Sequence, residues 1–581
     1  MHRFRLWAPK AKTVRVQVDG TKFPLEQHEG GWWQADIEPA HPGSDYVFFL
    51  DNEDLALPDP RSPWQPRGVH GPSRVLDHAA FHWTDTAWQA PPLPSAIVYE
   101  LHIGTFTPEG TLDAAQTKLD ALRELGITHI ELCPVNSFPG VQGWGYDGVD
   151  LFAPHEPYGG PEALKRFVDA CHAKGLAVLL DVVYNHLGPD GNYLGKFGPY
   201  FTDAHHTPWG DAVNLEDAGS REVRQFFCDN ALVWLRDYHF DGLRLDAVHA
   251  YMDRSAINFM EQLGAQVHAL QAQTGRHYAV IVESDLNDPR IVTAREANGY
   301  GLDAQWSDDF HHALVTALTG NREGYYSDFG SLADIAKSLR DVFVYDGRFS
   351  PYRDRIHGRP VPGLPGGRFL GFSQNHDQVG NRAKGERLCH LVTVGRAKIA
   401  AALELTAPFV PMLFQGEEWA ASSPFQFFTN HNEELGKLVS EGRRKEFAAF
   451  GWDLSIIPDP QSPATFQRSK LNWDERTQPP HAEMLDWYRK LIAFRRATPA
   501  LTDGDMSQVH VRASDAEQWL VMERSGITVA FSLAAKPIQL PVPPNSTIAL
   551  ASSSEIHLES DVLLLPPDSV AILATNQHSA R

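Results

Sequence analysis

Residues 176–186 read LAVLLDVVYNH. From Leu176 to Tyr184 only Asp181 interrupts a run of apolar side chains. A strand with one wet face alternates apolar and polar residues. A run this continuous needs cover on both faces, as in a parallel sheet clad with helices. Asn185 and His186 follow directly, so the chain leaves the sheet on hydrogen-bonding groups at the strand's carboxyl end.

Working outward, the same grammar recurs. Strand-like segments occupy Ala96–Phe106, Ile127–Val135, Phe240–Val248, Tyr278–Val282, Asp303–Trp306, Phe369–Ser373 and Val410–Phe414. Helical patterns lie between them, at Leu112–Leu125, Pro161–Lys174 and Glu222–Tyr238, and Met484–Arg495 closes the series. Eight strands interleaved with helices are the count of a (β/α)8 TIM barrel; a doubly wound open sheet is the competing topology. The stretches 186–220, 311–367 and 419–480 then become long βα loops. Ahead of the barrel, Arg3–Trp7 and Val14–Val18 alternate, and Gly30-Gly31 and Pro42-Gly43 mark turns or strand entries, as in an immunoglobulin-like β-sandwich. Pro91-Pro92-Leu93-Pro94 reads as a linker, and short β runs such as Trp519–Arg524 and Thr528–Leu533 return near the end. The expected division is therefore a sandwich over 1–90, a catalytic barrel over 91–500 and an antiparallel β domain over 501–581.

The 581-residue chain carries a formal charge of −22 at pH 7. Such a surface repels phosphate backbones and anionic lipid, which argues against nucleic-acid and membrane partners but leaves a neutral substrate open. Cys133, Cys171, Cys228 and Cys389 are far apart and show no CxxC spacing, as expected of reduced thiols in a cytoplasmic protein. MHRFRLWAPK lacks the apolar core of a signal peptide.

Four strand ends carry chemistry. Asp181, Asn185 and His186 lie at the C-terminal end of the third strand; Asx residues there also serve turns, so the segment alone decides nothing. In DGLRLDAVH (241–249), period-two alternation puts Arg244 and Asp246 on one inward face. A guanidinium beside Asp246 would keep it ionised, although an isolated Arg/Asp couple is more often a structural ion pair. VIVESD (280–285) ends an apolar strand on Glu283, where low polarity would favour the protonated acid. QNHDQVGN (374–381) delivers His376 and Asp377 from the seventh strand. Adjacent strands lie about 4.8 Å apart, and the two carboxyls of a retaining glycosidase stand about 5–5.5 Å apart. Asp246 and Glu283 on successive strands suit that chemistry. No metal-ligand or phosphate-cradling pattern competes; His186, His249 and His376 occur singly, and neither cofactor nor metal is expected.

DVVYNH (181–186), DGLRLD (241–246), Glu283 and NHD (375–377) occur in the order of four motifs of the α-amylase family of glycoside hydrolases, which the chain resembles. The resemblance implies Asp246 as nucleophile, Glu283 as general acid/base and Asp377 as transition-state stabiliser. It implies that Arg244, His186 and His376 hold the sugar, that Tyr146 of WGYD (144–147) stacks beneath it, and that Asp147 and His249 join the substrate contacts. It also accounts for a carbohydrate-binding-like N-terminal sandwich and the C-terminal β domain.

A narrower likeness covers nearly the whole chain. GWGYDGVDLFAPHEPYGGP (143–161), ESDLNDPR (283–290), WSDDFHHAL (306–314), FSQNHDQVGNRAKGERL (372–388) and FFTNHNEELGKLVSEGRRKEF (427–447) are similar to the maltooligosyltrehalose trehalohydrolase family. That implies maltooligosyltrehalose as substrate and Asp308, Asp309, Phe310, His311, His312, Gln378 and Asn381 as further contacts. Asp308 and Asp309 would equally suit an ordinary helix start. Asn430 stands where the family is expected to carry Asp. The rivals are a glycogen branching enzyme with the same three acids, against which 306–314 and 427–447 argue, and a non-catalytic glucan-binding scaffold, against which retention of the acids argues.

Overall fold

A computed structural model describes residues 1–449 and 456–575. Residues 576–581 of the expected C-terminal domain and 450–455 of the third long loop lie outside the described residues. Eight parallel strands close on themselves: β1 (Val98–Leu101), β2 (His129–Leu132), β3 (Ala177–Val182), β4 (Gly242–Leu245), β5 (Ala279–Val282), β6 (Ala304–Trp306), β7 (Phe369–Gly371) and β8 (Val410–Phe414). The pairing Met412↔Val98 joins β8 to β1, so the sheet has no edge and the open alternative is excluded. Inward residues including Val98, Leu179, Ile281, Trp306, Leu370 and Met412 fill the interior as a dry plug.

The strands are shorter than their apolar runs. The segment from Ala96 to Phe106 is a strand only over Val98–Leu101; the His102 carbonyl then accepts from Thr105 and Phe106 and the chain turns helical. The fourth strand stops at Leu245 because Ala247 takes a left-handed φ of 41°. Leu112–Leu125 is two helices, Leu112–Gln116 and Leu119–Leu125. Thr117 Oγ1 donates to the Ala114 carbonyl at 2.7 Å, competing for an acceptor at the break.

Strands His2–Trp7, Trp32–Ile37 and Glu26–Gln27 form one N-terminal sheet, and Thr21–Pro24, Val14–Val18, Asp45–Leu50 and Ser73–Arg74 the other. Phe4, Val16 and Phe48 fill the space between. After the barrel, a five-stranded antiparallel sheet and a three-stranded one enclose Val521, Leu563 and Ala571.

The stretch before the Pro-rich linker packs on the bottom of the barrel. His172 sits between Asp85 at 2.8 Å and Asp241 at 2.9 Å, against the face of Trp88. Asp241 also accepts from Trp88 Nε1 and the Val178 amide, each at 2.8 Å. The first acid of DGLRLD is thus a clasp at the foot of β4. All four cysteines are unpaired, and no helix among the described residues is long and apolar enough to cross a membrane.

Candidate active site

The mouth of the barrel is organised around Arg244. Its side chain is 0% exposed. Nη1 donates to Asp181 Oδ2 and to Asp246 Oδ1, each at 2.7 Å, and Nη2 lies 2.8 Å from Glu283 Oε2. The guanidinium lies over the Trp306 ring, 4.1 Å from its centroid. Register explains the convergence: Leu245 pairs with Val282, so the next residues, Asp246 and Glu283, leave neighbouring strands side by side. The bend at Ala247 turns its N–H onto Glu283 Oε2 at 2.9 Å.

Three acids share one cation in a dry site, so a proton must relieve the surplus charge. Burial pushes Asp246 and Glu283 above the usual carboxylate range, and Arg244 pulls both back. Their mutual effects differ in sign. A hydrogen bond from Glu283 favours charged Asp246, whereas the charge of Asp246 raises Glu283. The two acids are therefore not both charged, leaving a carboxylate and a carboxylic acid next to each other.

Asp377 stands on a one-turn helix, His376–Gly380, capped by Asn375, whose Oδ1 accepts from the Gln378 amide at 2.7 Å. Asp377 Oδ1 accepts from Asn381 Nδ2 at 2.5 Å. Burial and Glu283 raise Asp377, against the pull of His376. Burial alone would depress the His376 imidazole, but Glu100, 2.5 Å from Nδ1, lifts it to about 9. Tyr146 lies flat on that imidazole with ring centroids 4.9 Å apart, and its hydroxyl donates to Asp181 at 2.6 Å.

A cavity of about 320 Å³ opens on this floor, with Glu283 and Asp377 in its wall. His249, Asp308, His312, Gln378 and Asn381 line it as well. Asp308 is pushed well above the carboxylate range by burial and by Glu283, which favours its neutral form. His186 is held neutral near 4 by burial and stacks on Trp209 with centroids 4.6 Å apart. Asp147 faces His431 at 3.4 Å.

Tyr146, Asp147, His186, Arg244 and His376, like Asp246, are not among the residues lining this cavity, and Asp309, Phe310 and His311 are held elsewhere. Phe310 is 0% exposed and packs edge-on against Phe409, on the core side of helix Asp308–Thr319. Asp309 accepts from the Val344 and Tyr345 amides and from Asn287 Nδ2 at 2.6, 2.8 and 2.9 Å, tying two loops together. His311 stands behind the wall, with Nε2 3.0 Å from Tyr326 OH. Helical periodicity sends Asp308 and His312, four apart, to the cavity and the residues between them elsewhere. Asn430, the departure from the expected Asp, accepts from the Val141 amide at 3.0 Å, a loop contact.

Sequence reading passed over Glu100, Trp306, Tyr325 and Trp209. Glu100 carried a signal, since an acid near the end of the apolar run VYEL needs an inward partner. Trp306 and Tyr325 looked like any core or loop aromatics.

Among the described residues, only Glu100, Cys133 and His376 bring three potential metal-ligand atoms within 4.8 Å of one another. They do not suit an ion. His376 Nδ1 is committed to Glu100, and burial holds the Cys133 thiol far above its ordinary value, away from the thiolate a metal needs.

A sequence profile of the alpha-amylase catalytic domain matches residues 77–203. The malto-oligosyltrehalose trehalohydrolase of Rhizobium sp. (strain M-11) is 50% identical over 98% of this chain and 97% of its own length. That of Arthrobacter ramosus is 49% identical over 96% and 98%. A Salmonella typhimurium chain solved by crystallography superposes with a TM-score of 0.91 at 37% identity, covering 99% of this chain and 97% of its own. The 1,4-alpha-glucan branching enzyme of Ralstonia nicotianae matches only 53% of this chain, at 34% identity.

Proposed function

The chain belongs to the malto-oligosyltrehalose trehalohydrolase family, a glycosidase family of the alpha-amylase kind, and on that premise we propose that it cleaves the α-1,4 bond next to the terminal trehalose unit of maltooligosyltrehalose, with Asp246, Glu283 and Asp377 as the catalytic groups. The observation that carries this reading is the single guanidinium of Arg244, which meets both Asp246 and Glu283 beside a cavity that Asp377 also lines.

In the first step Asp246 Oδ attacks the anomeric carbon of the glucose preceding the trehalose unit. The bond from that carbon to the trehalose oxygen breaks, and the Glu283 proton passes to the departing oxygen, releasing trehalose. Asp377 faces the positive charge that develops on the ring. Water then enters, Glu283 takes its proton, and the hydroxide replaces Asp246 at the anomeric carbon, freeing a maltooligosaccharide with retained configuration. His376 and Arg244 hold the reacting sugar and the two acids in place, Tyr146 gives the ring a flat floor, and neutral Asp308 and His312 meet the trehalose side.

The substrate is neutral, in keeping with the acidic surface, and four unpaired cysteines suit a reducing cytoplasm. The three-part division at residues 90 and 500 belongs to the same reading. Maltotriosyltrehalose tests it: the products expected are trehalose and maltotriose only. A ladder of maltose-type fragments, or new α-1,6 branches on amylose, would overturn it.

A further inference from the structure

Asp377 is held by a contact that begins on a different loop. Helix Glu433–Ala449, from the long segment after β8, sends Arg443 across to the turn behind Asp377. Arg443 Nη1 donates to Asn381 Oδ1 and Nη2 to the Gly380 carbonyl, each at 2.7 Å. Asn381 Nδ2 in turn donates to Asp377 Oδ1 at 2.5 Å. The guanidinium also lies over Phe427, 4.8 Å from the ring centroid, which fixes its plane.

An asparagine side chain can present either its oxygen or its NH2 to a neighbour. A guanidinium has donors only and no acceptor. With Arg443 in place, the Asn381 oxygen must face Arg443 and its NH2 must face Asp377. The reverse orientation would put two oxygens against each other at the reacting sugar.

We propose that Arg443 is a positioning residue for the hydrolysis: by fixing the orientation of the Asn381 amide and the end of the one-turn helix, it presents Asp377 to the sugar ring as a singly anchored carboxylate, with Oδ1 held and Oδ2 left for substrate. Charge acts in the same sense. Burial and the charge of Glu283 raise Asp377, while His376, Arg244 and Arg443 favour its ionised form. The link also makes catalysis depend on the seating of helix Glu433–Ala449. The inference rests on the role given to Asp377 above.

A double-variant cycle on the full chain tests it, with maltotriosyltrehalose as substrate. Misplacing a catalytic group by about 1 Å can lower a rate up to about a hundredfold, so Arg443→Met is expected to lower kcat at least about tenfold with KM within about twofold. Asn381→Ala, at a residue that also lines the cavity, is expected to lower kcat likewise whatever its KM, and the kcat of the double variant to fall no further than that of the worse single one, since both break one link. Arg443→Lys, which keeps a donor, restores part of kcat. An unchanged kcat in Arg443→Met, or losses that multiply in the double variant, would overturn the proposal. Should Arg443→Met melt early, Asn381→Asp reads the same link: it keeps an acceptor for Arg443 but turns an oxygen towards Asp377. Its kcat must then fall with an unaltered melt, and wild-type turnover would count against the link. Asp377→Asn separates the two levels: if it stays active, the catalytic reading itself fails; if it is dead while the cycle multiplies, only the role of Arg443 fails.

Discussion

Arg244 lies over the Trp306 ring, 4.1 Å from its centroid, so a buried cation of the catalytic floor rests on an aromatic face. The indole closes that face to water while the guanidinium edge reaches three acids. A lysine ammonium cannot both stack and fork. Arg244→Lys is expected to lower kcat/KM by at least about a hundredfold. Arg244→Leu, which leaves buried acids without their cation, is expected to cost about 3–5 kcal/mol of stability as well. Steady-state kinetics with thermal melts check both.

Asp246→Asn and Glu283→Gln each remove a reacting group while easing the crowding of like charge. Turnover is expected to fall by about a thousandfold or more, with melting temperatures equal to or above the parent's. A variant that keeps parental turnover would contradict the assignment.

The pH profile follows from the proton on Glu283. Its acid works only while protonated, and burial and the charge of Asp246 raise it. The alkaline limb of kcat/KM should therefore lie above the ordinary carboxylate range, with activity lost as pH rises through Glu283. The acid limb reports protonation of Asp246. Glu283→Gln should erase the alkaline limb from whatever activity is left.

His376 couples stability to pH. Glu100 overcomes the effect of burial and lifts the imidazole to about 9, against 6.5 for a free group. A raised folded value means that the stabilisation is complete below the unfolded pKa and is lost as pH climbs through the folded one. The melting temperature should fall between pH 6.5 and about 9, and Glu100→Gln should flatten that slope.

Trp209, 46% exposed, lies parallel to His186 at the rim. Trp209→Ala is expected to raise KM for the glucan several-fold while leaving the melt unchanged, because little packing is lost. An unchanged KM would assign the ring to the rim alone.

The barrel was legible because parallel strands buried on both faces leave apolar runs such as Leu176–Tyr184, and their polar exits mark the rim. Strand ends were not, since the stop at Leu245 depends on the backbone turn at Ala247, which an alanine does not advertise. Asp246, Glu283 and Asp377 were picked out as acids closing apolar strands or following them. Phe310 and Asp309 lie off the cavity wall, which a motif cannot show, because it says which residues travel together, not which side of a helix each faces. Trp306 and Arg443 act through pairings across about 60 residues of chain, as in Arg244 with Trp306 and Arg443 with Asn381, and such pairings leave no local pattern.

The clasp at the foot of β4 sets a rule for grafting. A chimera cut at the prolines 91–94 would carry the barrel away without Asp85 and Trp88. His172 would keep Asp241 and lose its other acid, a charged bond would open to water, and the strand that bears Asp246 at its far end would be unlatched at its base. A transplantable barrel therefore starts upstream of Asp85, not at the residue where composition changes.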